Sequence, residues 1–234
     1  MNRQFTIILD SCRYDSFIKA KTPNFDKLGK TMKVYSPAGW TLPSIISYNN
    51  GVPPLNVPLN LRKNFWDFKN GGKSKFKYNI FLTANPIILR NKFMFKNWDF
   101  IGDTKYDYNF SCNEILKDSI RFIEGESEFL AWNLVMETHS PYSTRHGVYD
   151  YRTIKTRDEF LKIQSESVEL VDEAFGKIMD RIPTGTRIII TADHGELYDQ
   201  NENGEWYYHH NFTYNHIGFH RKLFEIPLIY GYKK

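Results

Sequence analysis

The sequence predicts an α/β protein: a three-layer α/β/α sandwich around a mostly parallel central sheet. Short apolar, strand-like runs at 5–9, 78–83, 129–136, 187–191 and 226–230 alternate with helical patterns at 22–31, 43–50, 112–124 and 157–181. Such alternation fits parallel strands joined by crossover helices that cover both sheet faces. The runs at 5–9 and 187–191 are followed closely by polar, chemically capable residues, as expected where buried strands open onto a ligand crevice.

Taken in order, Phe5-Thr6-Ile7-Ile8-Leu9 is apolar and ends on Asp10. Ser11 is expected to cap the helix that follows, and Arg13 either reaches a substrate oxygen or pairs with Asp15. In Trp40-Thr41-Leu42-Pro43-Ser44 a hydroxyl stands just ahead of a proline, which the first turn of a helix tolerates. The stretch 51–75, with Pro53, Pro54, Pro58 and the pair Gly71-Gly72, reads as a loop-rich insertion above the sheet, and the basic residues from Lys69 to Lys77 as a solvated loop. After the strand Asn79 to Thr83, Asn85-Pro86 reads as a turn. The run 129–136 leads into His139-Ser140-Pro141-Tyr142.

Over 157–181 the residues Phe160, Ile163, Val168, Val171, Phe175 and Ile178 recur at helical spacing, with Asp158, Glu159, Lys162, Glu166 and Glu169 largely opposite. Pro183 and Gly185 end that helix. Ile188-Ile189-Ile190 then runs into Thr191-Ala192-Asp193-His194-Gly195-Glu196.

Parallel strands expose their carboxyl ends on one sheet edge, so Asp10 and Asp193 are placed to converge. Asp beside His offers oxygen and nitrogen donors to a divalent cation; the plainer reading makes Asp193 and Gly195 turn formers and His194 a bystander. Thr41, at a helix amino terminus that favours anions, is the candidate nucleophile. The 7 histidines all fall between 139 and 220, which suggests a shared cleft; His146, His209 and His210 also suit exposed loops. Glu196 fits a supporting acid better than a ligand.

With 234 residues the chain is most simply one domain, 1–234. A net charge of +4 with acids and bases balanced lacks the clustering of a nucleic-acid binder. Cys12 and Cys112 make no disulfide framework and fit a reducing compartment. No apolar run approaches the roughly 20 residues of a membrane span, and the first strand follows Met1 too closely for a signal peptide, so a cytoplasmic location is expected.

These segments resemble the sulfatase branch of the alkaline phosphatase superfamily, in that family's order along nearly the whole chain. ILDSCRYD (8–15) is similar to its opening metal-binding strand and TPNFDKLG (22–29) to the helix that follows. WTLPSIISYNNGVPP (40–54) is similar to the nucleophile motif, ETHSPY (137–142) to the His-x-Pro substrate loop, TADHGE (191–196) to the metal-binding Asp-His, and HIGFHRKLFEIPLIY (216–230) to the closing loop and strand. The resemblance implies Asp10, Thr41, Asp193 and His194 as metal ligands and Thr41 as nucleophile. It implies His139 and His216 as catalytic groups, with His220 the alternative to His216, and substrate contacts from Arg13, Asn85 and His220. It also implies an alkaline-phosphatase-like fold, here without the usual carboxy-terminal subdomain.

Two departures bear on the chemistry. Sulfate-ester hydrolases of the family mature a Cys or Ser into formylglycine, whereas Thr41 would yield a ketone; a threonine nucleophile matches the family's phosphodiesterases and its phosphoglycerol or phosphoethanolamine transferases. No Asp-x-x-x-His precedes the Asp-His motif, so one metal ion is expected, Mn, Mg or Ca by its hard oxygen donors, with Zn possible. The expected activity is metal-dependent hydrolysis or transfer of a phosphoester, carried by a small molecule, glycan or lipid. A sulfuric ester hydrolase is the alternative, and an inactive metal-binding recognition domain the alternative outside enzymes.

Overall fold

A computed structural model describes residues 2–51, 76–95, 97–102, 106–109, 111–200, 206–209 and 220–234. The insertion expected at 51–75 lies outside them apart from Gly51, as do His210 and His216.

The architecture is an α/β protein on a seven-stranded sheet. Its strands are β1 (Arg3–Leu9), β2 (Met32–Tyr35), β3 (Tyr78–Thr83), β4 (Phe100–Ile101), β5 (Phe129–Val135), β8 (Arg187–Ala192) and β11 (Glu225–Tyr232). They lie in the order β2-β11-β8-β1-β5-β3-β4. β1 pairs in parallel with β5 and β8, and β3 with β5 and β4; β11 alone runs antiparallel, against β8 and β2. Two small hairpins, β6 (Tyr142–Thr144) with β7 (Gly147–Tyr149) and β9 (Leu197–Gln200) with β10 (Trp206–His209), stand apart from the main sheet.

Alternation along the central strand distributes the core. Phe5, Ile7 and Leu9 pack on one face with residues of α4 (Cys112–Ile123) and α5 (Arg157–Ile178); Ile8 packs on the other with Leu42, Ile45 and Ile46 of α2 (Thr41–Asn50) and with Ile88 of α3 (Pro86–Arg90). Thus β1 is covered on both faces, as its unbroken apolar run requires. The helix α5 starts at a Thr156 cap whose hydroxyl accepts the Glu159 N–H at 3.1 Å, and every apolar residue of its sequence stripe is buried.

One expected helix is not formed. Over 22–31 the chain makes only a 3-10 turn at Phe25–Lys27, because Asp172 of α5 accepts the backbone N–H groups of Asn24 at 3.1 Å and Phe25 at 2.8 Å and pins the segment as a single turn before β2. Residues Tyr14–Phe17 form the short helix α1, whose N-cap is Arg13 and which has no side-chain cap, so the capping expected of Ser11 is replaced by another role.

Candidate active site

Four loops deliver the site at the carboxyl edge of the parallel strands. Asp10 follows β1, Asn85 follows β3, His139 follows β5 and Asp193-His194 follow β8; Thr41 enters as the first residue of α2. Asp10, Asp193 and His194 are fully buried and their ligand atoms lie within 4.8 Å of one another. His194 Nε2 is 3.9 Å from Asp10 Oδ1 and 3.5 Å from Asp193 Oδ2. Thr41 Oγ1 is buried between them, 3.3 Å from His194 Nε2 and 3.5 Å from Asp10 Oδ2. The residues selected from the sequence as one ligand set are therefore one cluster.

The local backbone explains how they are held. Ser11 adopts a left-handed φ of 59°, a conformation that costs a non-glycine residue about 1–3 kcal/mol and concentrates at functional sites. That turn directs the Ser11 N–H to Asp193 Oδ1 at 3.0 Å and its hydroxyl to Asp10 Oδ1 at 3.0 Å, tying the two carboxylates together. The His194 N–H also donates to Asp193 Oδ1, at 2.8 Å. A carbonyl can only accept, so the 2.6 Å contact of His194 Nδ1 with Gly195 O puts the ring proton on Nδ1 and turns the Nε2 lone pair toward Thr41.

Burial governs the charges. Burial, then the Asp193 charge, raise the Asp10 carboxyl, against the pull of His139, His194 and the Asn85 amide. Asp193 is pushed up to about 7 by burial, against the N–H groups of Ser11 and His194, and burial pulls His194 down to about 4, so the imidazole is neutral at pH 7. Two buried carboxylates facing a neutral imidazole and a hydroxyl, with Asp193 Oδ2 lacking any hydrogen bond of good geometry among the described residues, form an electron-rich pocket. Deprotonated oxygens and neutral imidazole are what a divalent cation requires, so the donor set fits one.

The remaining site residues fall in different places. His139 is half-buried; its Nδ1 lies 2.5 Å from the Ser140 carbonyl, which puts the proton there, and 2.7 Å from the Tyr108 hydroxyl. The Arg13 guanidinium is buried, and it donates to both oxygens of Asp15, at 2.8 and 2.6 Å, and to Glu196 O at 3.4 Å. The structure thus puts Arg13 in the ion pair that was the alternative to substrate contact. His220 caps a 3-10 turn at Arg221–Leu223, accepting the Lys222 N–H at 3.3 Å. Asn85 turns its amide to Asp10, with Nδ2 at 2.7 Å from Oδ2, and Glu196 accepts from the Tyr142 hydroxyl at 2.5 Å.

Gln164 was not singled out in the sequence. From the buried face of α5 its Nε2 donates to Ser11 O and Thr138 O, each at 3.0 Å, and its Oε1 accepts the Arg13 N–H at 3.3 Å. It staples the loops after β1 and β5. Its spacing is the signal: four residues after Phe160 and four before Val168, Gln164 falls on the apolar face of the helix.

No protein-family model and no curated protein matches the chain. Solved structures do. The C-terminal periplasmic domain of phosphoethanolamine transferase EptC from Campylobacter jejuni aligns over 100% of this chain and 80% of its own at 13% identity and a TM-score of 0.62. A protein in the alkaline phosphatase superfamily from Vibrio parahaemolyticus aligns over 100% of this chain and 61% of its own at 17% identity and a TM-score of 0.58. Ps i-CgsB, solved in complex with k-i-k-neocarrahexaose, aligns over 100% of this chain at 14% identity and a TM-score of 0.60; this chain spans 66% of its length. Among the described residues no helix is long and apolar enough to cross a membrane. At these identities the likeness is one of fold.

Proposed function

We propose that this chain, which has the fold of the alkaline phosphatase superfamily, is a metal-dependent hydrolase or transferase of phosphoesters that works through a covalent intermediate on Thr41. The observation that carries the reading is the buried meeting of Asp10, Thr41, Asp193 and His194. Asp10, Asp193, His194 and Thr41 would hold a single divalent ion. When bound, such an ion supplies a Lewis acid that favours the Thr41 alkoxide and offsets charge on a phosphoryl oxygen.

Thr41 Oγ1, its hydroxyl proton released to solvent, would form a bond to phosphorus as the bond from phosphorus to the leaving oxygen breaks, and the electron pair departs with that oxygen. In support, Thr41 is the first residue of α2, and the N–H groups of a helix amino terminus favour an anionic phosphoryl group. His139, with Nδ1–H engaged by its own loop, would enter this step as the imidazolium, carrying a second proton on Nε2, and give that proton to the leaving oxygen. In the second half the roles reverse: His139 takes the proton of an incoming water or acceptor alcohol, whose oxygen displaces Thr41 from phosphorus. Phosphodiesters of the phosphoglycerol or phosphoethanolamine type are the substrate class we favour. In support, one structural neighbour is a phosphoethanolamine transferase, and by the motif resemblance Thr41 stands where a sulfate-ester hydrolase of the family needs an aldehyde precursor.

The experiment is metal analysis of the purified protein joined to turnover of aryl phosphodiester, aryl phosphomonoester and aryl sulfate. Metal-dependent turnover of the diester above the other two is expected. Preferential turnover of the sulfate would overturn the substrate class, and metal binding without turnover of any of them would point to a recognition domain.

A further inference from the structure

Asn85 makes two kinds of contact with one side chain. Its Oδ1 accepts the backbone N–H groups of Ile87, at 2.8 Å, and Ile88, at 3.3 Å, capping α3. Both partners are donors, so the oxygen must face them and the orientation of the amide follows without ambiguity. The NH2 group is thereby turned the other way, and its Nδ2 donates to Asp10 Oδ2 at 2.7 Å. Asn85 is buried, and its own N–H is held by Thr83 Oγ1 at 2.9 Å. The amide is locked at three points, two on the backbone of α3 and one on the carboxylate.

We infer that Asn85 is a positioning residue for Asp10, fixing the carboxylate in the orientation that presents it to a cation shared with Asp193 and His194, and is not a contact for the substrate. This inference rests on the proposed metal site and adds a residue to it. A carboxylate can rotate about its Cβ–Cγ bond and offer either oxygen. Here the Ser11 hydroxyl fixes Oδ1 and the Asn85 amide fixes Oδ2. The energetic logic is that of preorganisation: an ion then binds without having to order its ligand, and partners of this kind commonly change metal affinity by about 10- to 100-fold when removed. The cap gives the arrangement its rigidity, since α3 packs against β3 through Ile88 and cannot follow a drifting side chain.

The test separates the cap from the carboxylate contact. Asn85→Ala loses both; Asn85→Ser keeps an oxygen able to cap α3 but has no amide to reach Asp10. Titration calorimetry with Mn2+ and with Zn2+ is run on the metal-stripped wild type and both variants, beside thermal unfolding of the same metal-free samples. The expected result is that Ser restores much of the thermal stability lost in Ala while both variants bind the ion about tenfold or more weakly than wild type. Wild-type affinity in both variants overturns the inference, and so does recovery of affinity in step with the cap in Asn85→Ser. A raised KM for an aryl phosphodiester with unchanged ion affinity assigns Asn85 to the substrate and equally overturns it. Should wild type itself bind neither ion, the metal site fails as well, a result distinct from the others because it appears before any substitution is made.

Discussion

The backbone N–H of Ser11 donates to Asp193 Oδ1 at 3.0 Å, so the turn that closes β1 fixes a carboxylate delivered by β8. Asp193→Ala removes that acceptor and one of the two proposed carboxylate ligands together. Metal content and turnover should fall in parallel, checked by elemental analysis of the purified variant beside an aryl phosphodiester assay. Full metal content in Asp193→Ala would take it out of the ligand set.

Thr41 Oγ1 sits 3.3 Å from His194 Nε2 and 3.5 Å from Asp10 Oδ2 without either being its covalent neighbour. If Thr41 acts as proposed, Thr41→Ala should lower diester turnover by at least about a thousandfold, as loss of a nucleophile does, while the other three proposed ligands keep part of the metal affinity. Thr41→Ser, which keeps a hydroxyl, should lose much less. Mass spectrometry of wild type quenched during diester turnover should find the phosphoryl group, still carrying the ester it retains, on the peptide that contains residue 41, and activity unchanged in Thr41→Ala would remove this residue from the reaction.

For His139 the leaving group decides the size of the effect. A general acid contributes about 10²- to 10⁴-fold where the departing oxygen needs a proton. His139→Ala should therefore impair alkyl diesters by that amount and a nitrophenyl diester by roughly tenfold or less. Equal losses for both leaving groups would assign His139 to binding instead.

Much of this arrangement was legible in the sequence, for a definite reason. Buried strands announce themselves as β-branched runs, and polar residues placed directly after them have only one sheet edge to occupy; hence Asp10, Asp193 and His194 meet. What was not legible depends on partners distant in the chain. The segment 22–31 carries a helical pattern, but Asp172 captures Asn24 and Phe25 and holds a single turn. Ser11 reads as a cap and instead ties two carboxylates, and Gln164 bridges three loop groups from a helix whose pattern names only its apolar face. Local propensity cannot rank a side chain's competing partners when they come from other elements.

Acid stability should depend on Asp15. Burial alone would raise its carboxyl, but the hydrogen bonds and charge of Arg13, joined by Lys222, outweigh that and hold it well below the ordinary carboxylate range. A depressed native value means that the unfolded chain takes up a proton first. The pair's contribution is full above about pH 4, the unfolded value, and drains away as pH falls toward the native one. Asp15→Asn should flatten the loss of stability between about pH 4 and 2 and, by leaving the buried Arg13 without its carboxylate, cost about 3–5 kcal/mol at neutral pH. Urea unfolding of both proteins across that range measures the two effects, and parallel profiles would show that Asp15 does not titrate as argued.

Gly195 joins the Asp-His loop to the turn at Arg221–Leu223. Its N–H donates to Leu223 O at 2.7 Å, and a Cβ at this position would collide with Lys222 O and lie 3.1 Å from Lys222 C, both backbone atoms that cannot swing aside. Gly51, at φ 64° with nothing within 4 Å of an added Cβ, offers a control in which an alanine meets only the conformational cost of the left-handed region, about 1 kcal/mol. Gly195→Ala must displace either the turn or the residue beside His194. It should cost more stability than Gly51→Ala, by about 1–3 kcal/mol, and should weaken Mn2+ binding where the control does not. Urea unfolding and calorimetry on the two variants decide it. Equal losses with unchanged ion affinity would mean that the close approach of these two loops does not set the position of His194.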